Sequence, residues 1–211
     1  MTFRDFPGTA HRGAAAFAVA AAAIAACSSS PPPPPQAFVN ATLGPYIDPT
    51  SKQNLCSNGS PRPVLQIGVA TGGTGPIRQA DGSNQFDGNV NVQCSVTSGF
   101  EVSLTAALGG LMGGQLGPIT GHVTSASGGT GISGSINVNL QSYTASNCTI
   151  AFTYNGTTVP VKDPVAPGRI WAHLHCPSVV NAGHAVLLPD GTTSSETCAL
   201  DADFVFENCS Q

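Results

Sequence analysis

From residue 64 to the C-terminus, apolar and polar residues alternate in short runs separated by Gly, Asn, Ser and Pro, and no run shows a convincing 3.6-residue period. Alternation places every second side chain on one face of a pleated strand, the pattern of half-buried sheet. The runs predict strands over residues 64–70, 89–97, 101–108, 119–125, 131–140, 148–154, 169–176 and 198–207. Eight or so short strands with turn signals between them point to an antiparallel sandwich or barrel, and we expect an all-β, antiparallel β-sandwich over residues 38–211. A short helix over 106–117 is argued against by five glycines. That segment, with Leu108, Leu111, Met112 and Leu116, reads as an apolar loop over the end of the core.

Alternation also sorts faces. Ile170, Ala172, Leu174 and Cys176 share one face, as do Cys198, Leu200, Ala202, Phe204 and Phe206. Seven cysteines occur, and Cys27 stands apart from the six in the predicted domain: Cys56, Cys94, Cys148, Cys176, Cys198 and Cys209. An even set in an exported chain implies three disulfides, and no pair has the CxxC spacing of a zinc ribbon or a redox motif. Cys198 and Cys209 lie eleven residues apart on one strand, about 36 Å when extended, and are not expected to pair. In a three-strand meander Cys176 meets Cys148 or Cys198, with Cys148 slightly preferred, and Cys56 with Cys94 is a plausible second bridge. These pairings leave Cys198 with Cys209, so one of them fails.

The first residues read as an address. Arg4 and Arg12 precede an uninterrupted apolar run from Ala14 to Ala26. As a helix that run reaches about 20 Å, short of the roughly 30 Å hydrocarbon core, and so reads as a signal-peptide h-region. It ends Ile24-Ala25-Ala26-Cys27, which resembles the lipobox of bacterial lipoproteins. The resemblance implies cleavage before Cys27, acylation of that cysteine and, with Ser28 following it, sorting to the outer membrane. Residues 1–26 are then the signal peptide, and 27–37 are a disordered tether with the lipidated Cys and a polyproline run, Pro31 to Pro35.

Beyond residue 27, five basic residues face ten acidic ones. A chain so poor in Lys and Arg carries no electrostatic footprint for nucleic acid. The remaining partners are the membrane, through the lipid, and an envelope protein or a surface glycan.

Candidate chemistry centres on Trp171-Ala172-His173-Leu174-His175, whose odd positions project from one face. If Cys176 lies across from Cys198, antiparallel register sets His173 opposite Asp201 and Trp171 opposite Asp203. His173, His175, Asp201 and Asp203 are then a candidate zinc or copper patch, or a solvated face with cross-strand partners. The His-x-His strand is similar to part of the cupin motif and of the copper-zinc superoxide dismutase site. The Glu a cupin places four or five residues after His175 is missing, as are a dismutase's further histidines. Trp171, the only Trp, is the candidate aromatic for a glycan. Residues 129–134 spell GxGxxG but precede a strand, and residues 81–89 lack the Gly and Glu of an EF-hand loop. No motif calls for a cofactor, and no GxSxG elbow or placed Ser, His and Asp set appears. The C-terminal segment, Gly168-Arg169-Ile170-Trp171 with Phe204 to Cys209, resembles small cysteine-containing lipoproteins of myxobacteria and transfers no catalytic residue. The expected function is a non-enzymatic binding or structural role in the envelope, the alternative a metal-binding or hydrolytic protein.

Overall fold

The computed structural model describes residues 31–69, 76–110, 113–125 and 127–211. The expected signal peptide at 1–26 and the start of the expected tether at 27–30, Cys27 included, lie outside them. The compact unit runs from Pro32 to Gln211. Its strands are β1 Gln36–Gly44, β2 Arg62–Ile67, β3 Gln79–Ala80, β4 Asn84–Gln85, β5 Gly88–Val96, β6 Glu101–Leu108 and β7 Gly114–His122. They continue as β8 Gly129–Val138, β9 Gln141–Ala151, β10 Thr153–Tyr154, β11 Thr157–Thr158, β12 Val165–Ala166, β13 Arg169–Leu187 and β14 Thr193–Glu207. Among the described residues there is no helix.

The chain is all-β and antiparallel. One continuous path, β2-β1-β14-β13-β9-β8-β7-β6-β5-β4, carries β3 beside β1 and β12 beside β13, and β10 and β11 form a separate hairpin. Where a sandwich of about eight strands was expected, a single sheet curls until it is nearly closed into a barrel. Alternation marks which face is buried; it does not say whether buried faces belong to two sheets or to one rolled sheet.

The interior is filled by side chains graded to fit. Phe204 on β14 lies between Val39 on β1 and Ala172 on β13, and Ala202 lies between Ala41 and Leu174. All six are fully or almost fully buried, and Phe204 meets Phe206 edge-on at 5.7 Å between centroids. A large ring beside small neighbours is how a tapered barrel packs without voids.

Three disulfides join Cys148 to Cys176, Cys56 to Cys198 and Cys94 to Cys209. The first is the preferred partner choice for Cys176. The expected Cys56–Cys94 bridge does not form: Cys56 sits on the β1–β2 loop at one end of the barrel, and Cys94 lies toward the other end of β5. Cys198 and Cys209, separated along β14, each find a different partner.

The two ends of the barrel differ. At one, the Cys94–Cys209 bond is flanked by backbone hydrogen bonds from Ser210 N to Cys94 O at 3.0 Å and from Val96 N to Ser210 O at 2.9 Å. This seals β5 against the segment after β14. At the other, β2 ends the sheet path, and among the described residues its second edge has no strand neighbour. There the Gln85 side chain stands in for backbone, donating to Gln66 O at 2.9 Å and accepting from Gly68 N at 2.8 Å. Beside this bridge the seam opens into a cleft of ≈ 390 Å³.

Candidate functional site

The predicted His and Asp residues do meet on the outer face of the barrel, in a different register. β13 and β14 pair His173 with Asp203 and His175 with Asp201, and Cys176 faces Leu200. The expected register is therefore off by two residues. A two-residue slip preserves the face of a strand, so the same four side chains stay together and only their partners change; Trp171 faces Val205, not Asp203.

His173 is held at both ring nitrogens, Nδ1 against Asp203 at 3.0 Å and Nε2 against Asp201 at 3.2 Å. Each contact is a donated hydrogen bond only if the ring is protonated. The bond to Asp201, then that to Asp203, pushes the imidazole from 6.5 up to about 9 against the opposing effect of burial. Asp201 is held below its usual value, chiefly by His173, against burial and with help from His175. His175 Nδ1 reaches the same Asp201 oxygen at 2.8 Å. An imidazolium with both N–H groups committed has no lone pair for a metal. The four side chains form a charged ladder across two strands rather than a ring around one point.

Trp171 offers no stacking face for a glycan. It is 8% exposed, packed edge-on to Tyr154 at 5.8 Å with the Arg78 guanidinium 5.4 Å from its ring centroid. Tyr154 belongs to the β10–β11 hairpin, whose Asn155 and Gly156 both adopt positive φ, the pairing a tight two-residue turn requires. This hairpin, with Phe38, Val159 and Val205, covers part of the outer face with a second small core.

A third cluster was not read from sequence. Glu196 on β14 is 1% exposed and accepts hydrogen bonds from Tyr143 Oη at 2.7 Å and from Ser57 N at 3.0 Å. His184 Nδ1 lies 3.1 Å from Oε2, the oxygen that Tyr143 also bonds. Burial pushes Glu196 up, but hydrogen bonds from Ser57 and Tyr143 and the nearby His184 outweigh it and keep the carboxyl below its usual value. Tyr143 is pushed up to about 12, by burial first and then by its bond to Glu196. The strand signal for β14 began at residue 198, so Glu196 looked like loop, and only folding brings it to Tyr143 on β9.

The open end gathers apolar side chains. The cleft is lined by Pro63, Val64, Leu65 and Leu108, with Phe86 and Asp87 at its lip. Phe86, at the β4–β5 turn, is 78% exposed with φ +52°, and Leu140, at the β8–β9 turn, is fully exposed with φ +66°. Both positions favour Gly or Asn, and a bulky side chain there costs about 1–2 kcal/mol. Pairing sets Gly88 and Asn89 beside β4, Val90 opposite Leu108, Leu108 opposite Gly114, Gly114 opposite Val138 and Val138 opposite Gln141, so both turns project from the same end. Of the apolar loop expected over residues 108–116, Leu108 ends β6 and Gly114 to Leu116 begin β7, and Leu111 and Met112 lie outside the described residues.

The remaining motifs are structural. Residues 129–134 lie within strand β8, and Asp81 accepts from Val92 N at 2.8 Å, tying the β3–β4 hairpin to β5. No family model, curated protein or solved structure matches the chain, so the residues themselves carry the functional argument.

Proposed function

We propose that this protein is a lipid-anchored, non-enzymatic binding module of the bacterial envelope, held at the outer membrane through acylated Cys27 and binding an envelope protein with the open end of its barrel. One observation carries the binding site: Phe86 and Leu140 stand exposed in left-handed backbone at the same end of the barrel, Phe86 at the cleft beside the unclosed seam. Sites that keep strained conformations and solvent-facing apolar groups together are selected for contact, since stability alone favours neither.

The polarity of the chain supports this arrangement. β1 begins at Gln36 opposite Glu207, at the sealed end, where Asn208 Nδ2 donates to Pro34 O at 3.1 Å. The tether therefore enters the barrel at the end opposite the cleft. An anchor at one end leaves the other free to meet a partner. The His173 ladder favours a structural role for the alternative metal or hydrolytic face, because its imidazole is already saturated.

The test places a photo-crosslinking amino acid at position 86, 140 or 175 in producing cells. Adducts with one envelope protein are expected from 86 and 140 and not from 175; no adduct, or equal yield from all three, overturns the proposal. Mass spectrometry of the mature chain checks the anchor: an unacylated N-terminus at any residue other than Cys27 refutes it.

A further inference from the structure

We infer that Cys56, Cys198, Glu196 and His184 form a zinc site when the Cys56–Cys198 disulfide is reduced, so that this bridge is the oxidised form of a metal clamp on the β1–β2 loop. Three of the four donors are already assembled. The two sulfurs and a Glu196 carboxylate oxygen all lie within 4.8 Å of one another and are buried, the only such group of three among the described residues. His184 Nδ1 stands 3.1 Å from Glu196 Oε2, outside that group of three, and becomes the fourth donor by turning its ring toward the sulfurs.

The spacing suits tetrahedral zinc. Zinc bonds of about 2.3 Å to sulfur and 2.0 Å to nitrogen or oxygen put neighbouring donors roughly 3.3–3.8 Å apart. The Glu196–His184 separation is near that value, and the sulfurs need only part from bonding distance once reduced. Two thiolates with one imidazole and one carboxylate select zinc over calcium or magnesium. Tyr143 and the Ser57 amide, both bonded to Glu196, fix the carboxylate's orientation, the role that surrounding hydrogen bonds play at metal centres.

The chemistry balances with a dithiol as reductant. Its first thiolate attacks one sulfur of the bridge to form a mixed disulfide, and its second thiol displaces the remaining cysteine. Two electrons pass to Cys56 and Cys198, and the dithiol leaves as a cyclic disulfide. Zinc then displaces one proton from each cysteine thiol. Ser57 and Cys56 lie on the loop between β1 and β2, so the metal holds in place the segment the disulfide had held.

The experiment reduces the full chain with a water-soluble phosphine and titrates it with zinc, using cobalt(II) as an optical stand-in. One equivalent should bind with a thiolate-to-cobalt charge-transfer band only after reduction. Cys56→Ser should abolish binding, Glu196→Gln should weaken it at least about tenfold, and Cys148→Ser should leave it intact. Loss in Cys148→Ser equal to that in Cys56→Ser, or binding indifferent to Cys56, overturns the site. A second variant removes dependence on reduced folding: Cys56→His frees Cys198 with the other two bridges formed, and should bind zinc without reductant. Failure of that variant to bind also overturns the inference.

Discussion

Replacing His173 by Gln removes the cation that Asp201 and Asp203 share, and the structure sets both the size of the effect and its pH window. The rise of His173 from 6.5 to about 9 corresponds to about 3 kcal/mol at 1.36 kcal/mol per unit. Asp201, the larger contributor, has a side chain 45% exposed, and solvent screening there reduces the working value to about 1–2 kcal/mol. The depressed Asp201 belongs to the same pair and is not counted again. Because the folded value is raised, folded His173 keeps a proton that the unfolded chain releases. The stabilisation is therefore complete below about pH 6.5 and is lost as pH climbs through about 9. Urea unfolding at about pH 6 and about pH 9.5 should show the parent losing about 1–2 kcal/mol more than His173→Gln. The ring protons of His173 should titrate near 9. Equal pH slopes in parent and variant, or a His173 midpoint near 6.5, would refute the doubly bonded imidazolium.

Other consequences follow from the same structure. Among three tyrosines, Tyr143 should ionise near 12 in an ultraviolet titration, and Glu196→Gln should bring it down toward its ordinary value; an unmoved midpoint removes Glu196 as a cause. Glu196→Ala should cost about 1–3 kcal/mol by calorimetry, since it removes the acceptor of both Tyr143 and the Ser57 amide and leaves Tyr143 only Gln141. Replacing Cys94 and Cys209 together by Ala should cost about 4–5 kcal/mol, the scale for a loop of 115 residues, and should speed amide exchange at Val96 and Gly168 first. Phe86→Gly should raise stability by about 1 kcal/mol through relief of its positive φ while removing the crosslinked partner, and a loss of stability would show that Phe86 packs rather than presents.

The core strands were legible because their burial is one-sided. β6 was located to the residue, and the inner faces of β13 and β14 follow from Ile170 to Cys176 and Cys198 to Phe206 alone. β1 was missed although it sits inside the sheet between β2 and β14. Its Ala37, Phe38 and Val39 are buried on both faces, because Phe38 points outward under the β10–β11 hairpin. A strand covered on both sides loses alternation, and this one also follows directly on the prolines. The far halves of β13 and β14 were missed for the opposite reason. Beyond Val179 they leave the core, and residues such as Asn181, His184 and Ser194 carry no apolar period.

The candidate site was legible in composition and face but not in partnership. Parity along a strand is set by its own residues, so His173, His175, Asp201 and Asp203 had to share a face if β13 and β14 paired. Register is set by bulges, and β13 carries one between Cys176 and Val179 and another between Asn181 and Ala185. Cys176 already faces Leu200 ahead of both, and the first bulge sets Val179 rather than Ser178 opposite Cys198, which bonds Cys56 on the β1–β2 loop. The bridge builds the Glu196 cluster: it pins the loop, the loop delivers the Ser57 amide to Oε1 of Glu196, and the second bulge brings His184 to Oε2, which Tyr143 also bonds. The assumption that Cys176 meets Cys198 across the two strands thus accounts for the register error, and the Cys56–Cys198 bridge with the bulge at 181–185 accounts for the one buried carboxylate the sequence did not reveal.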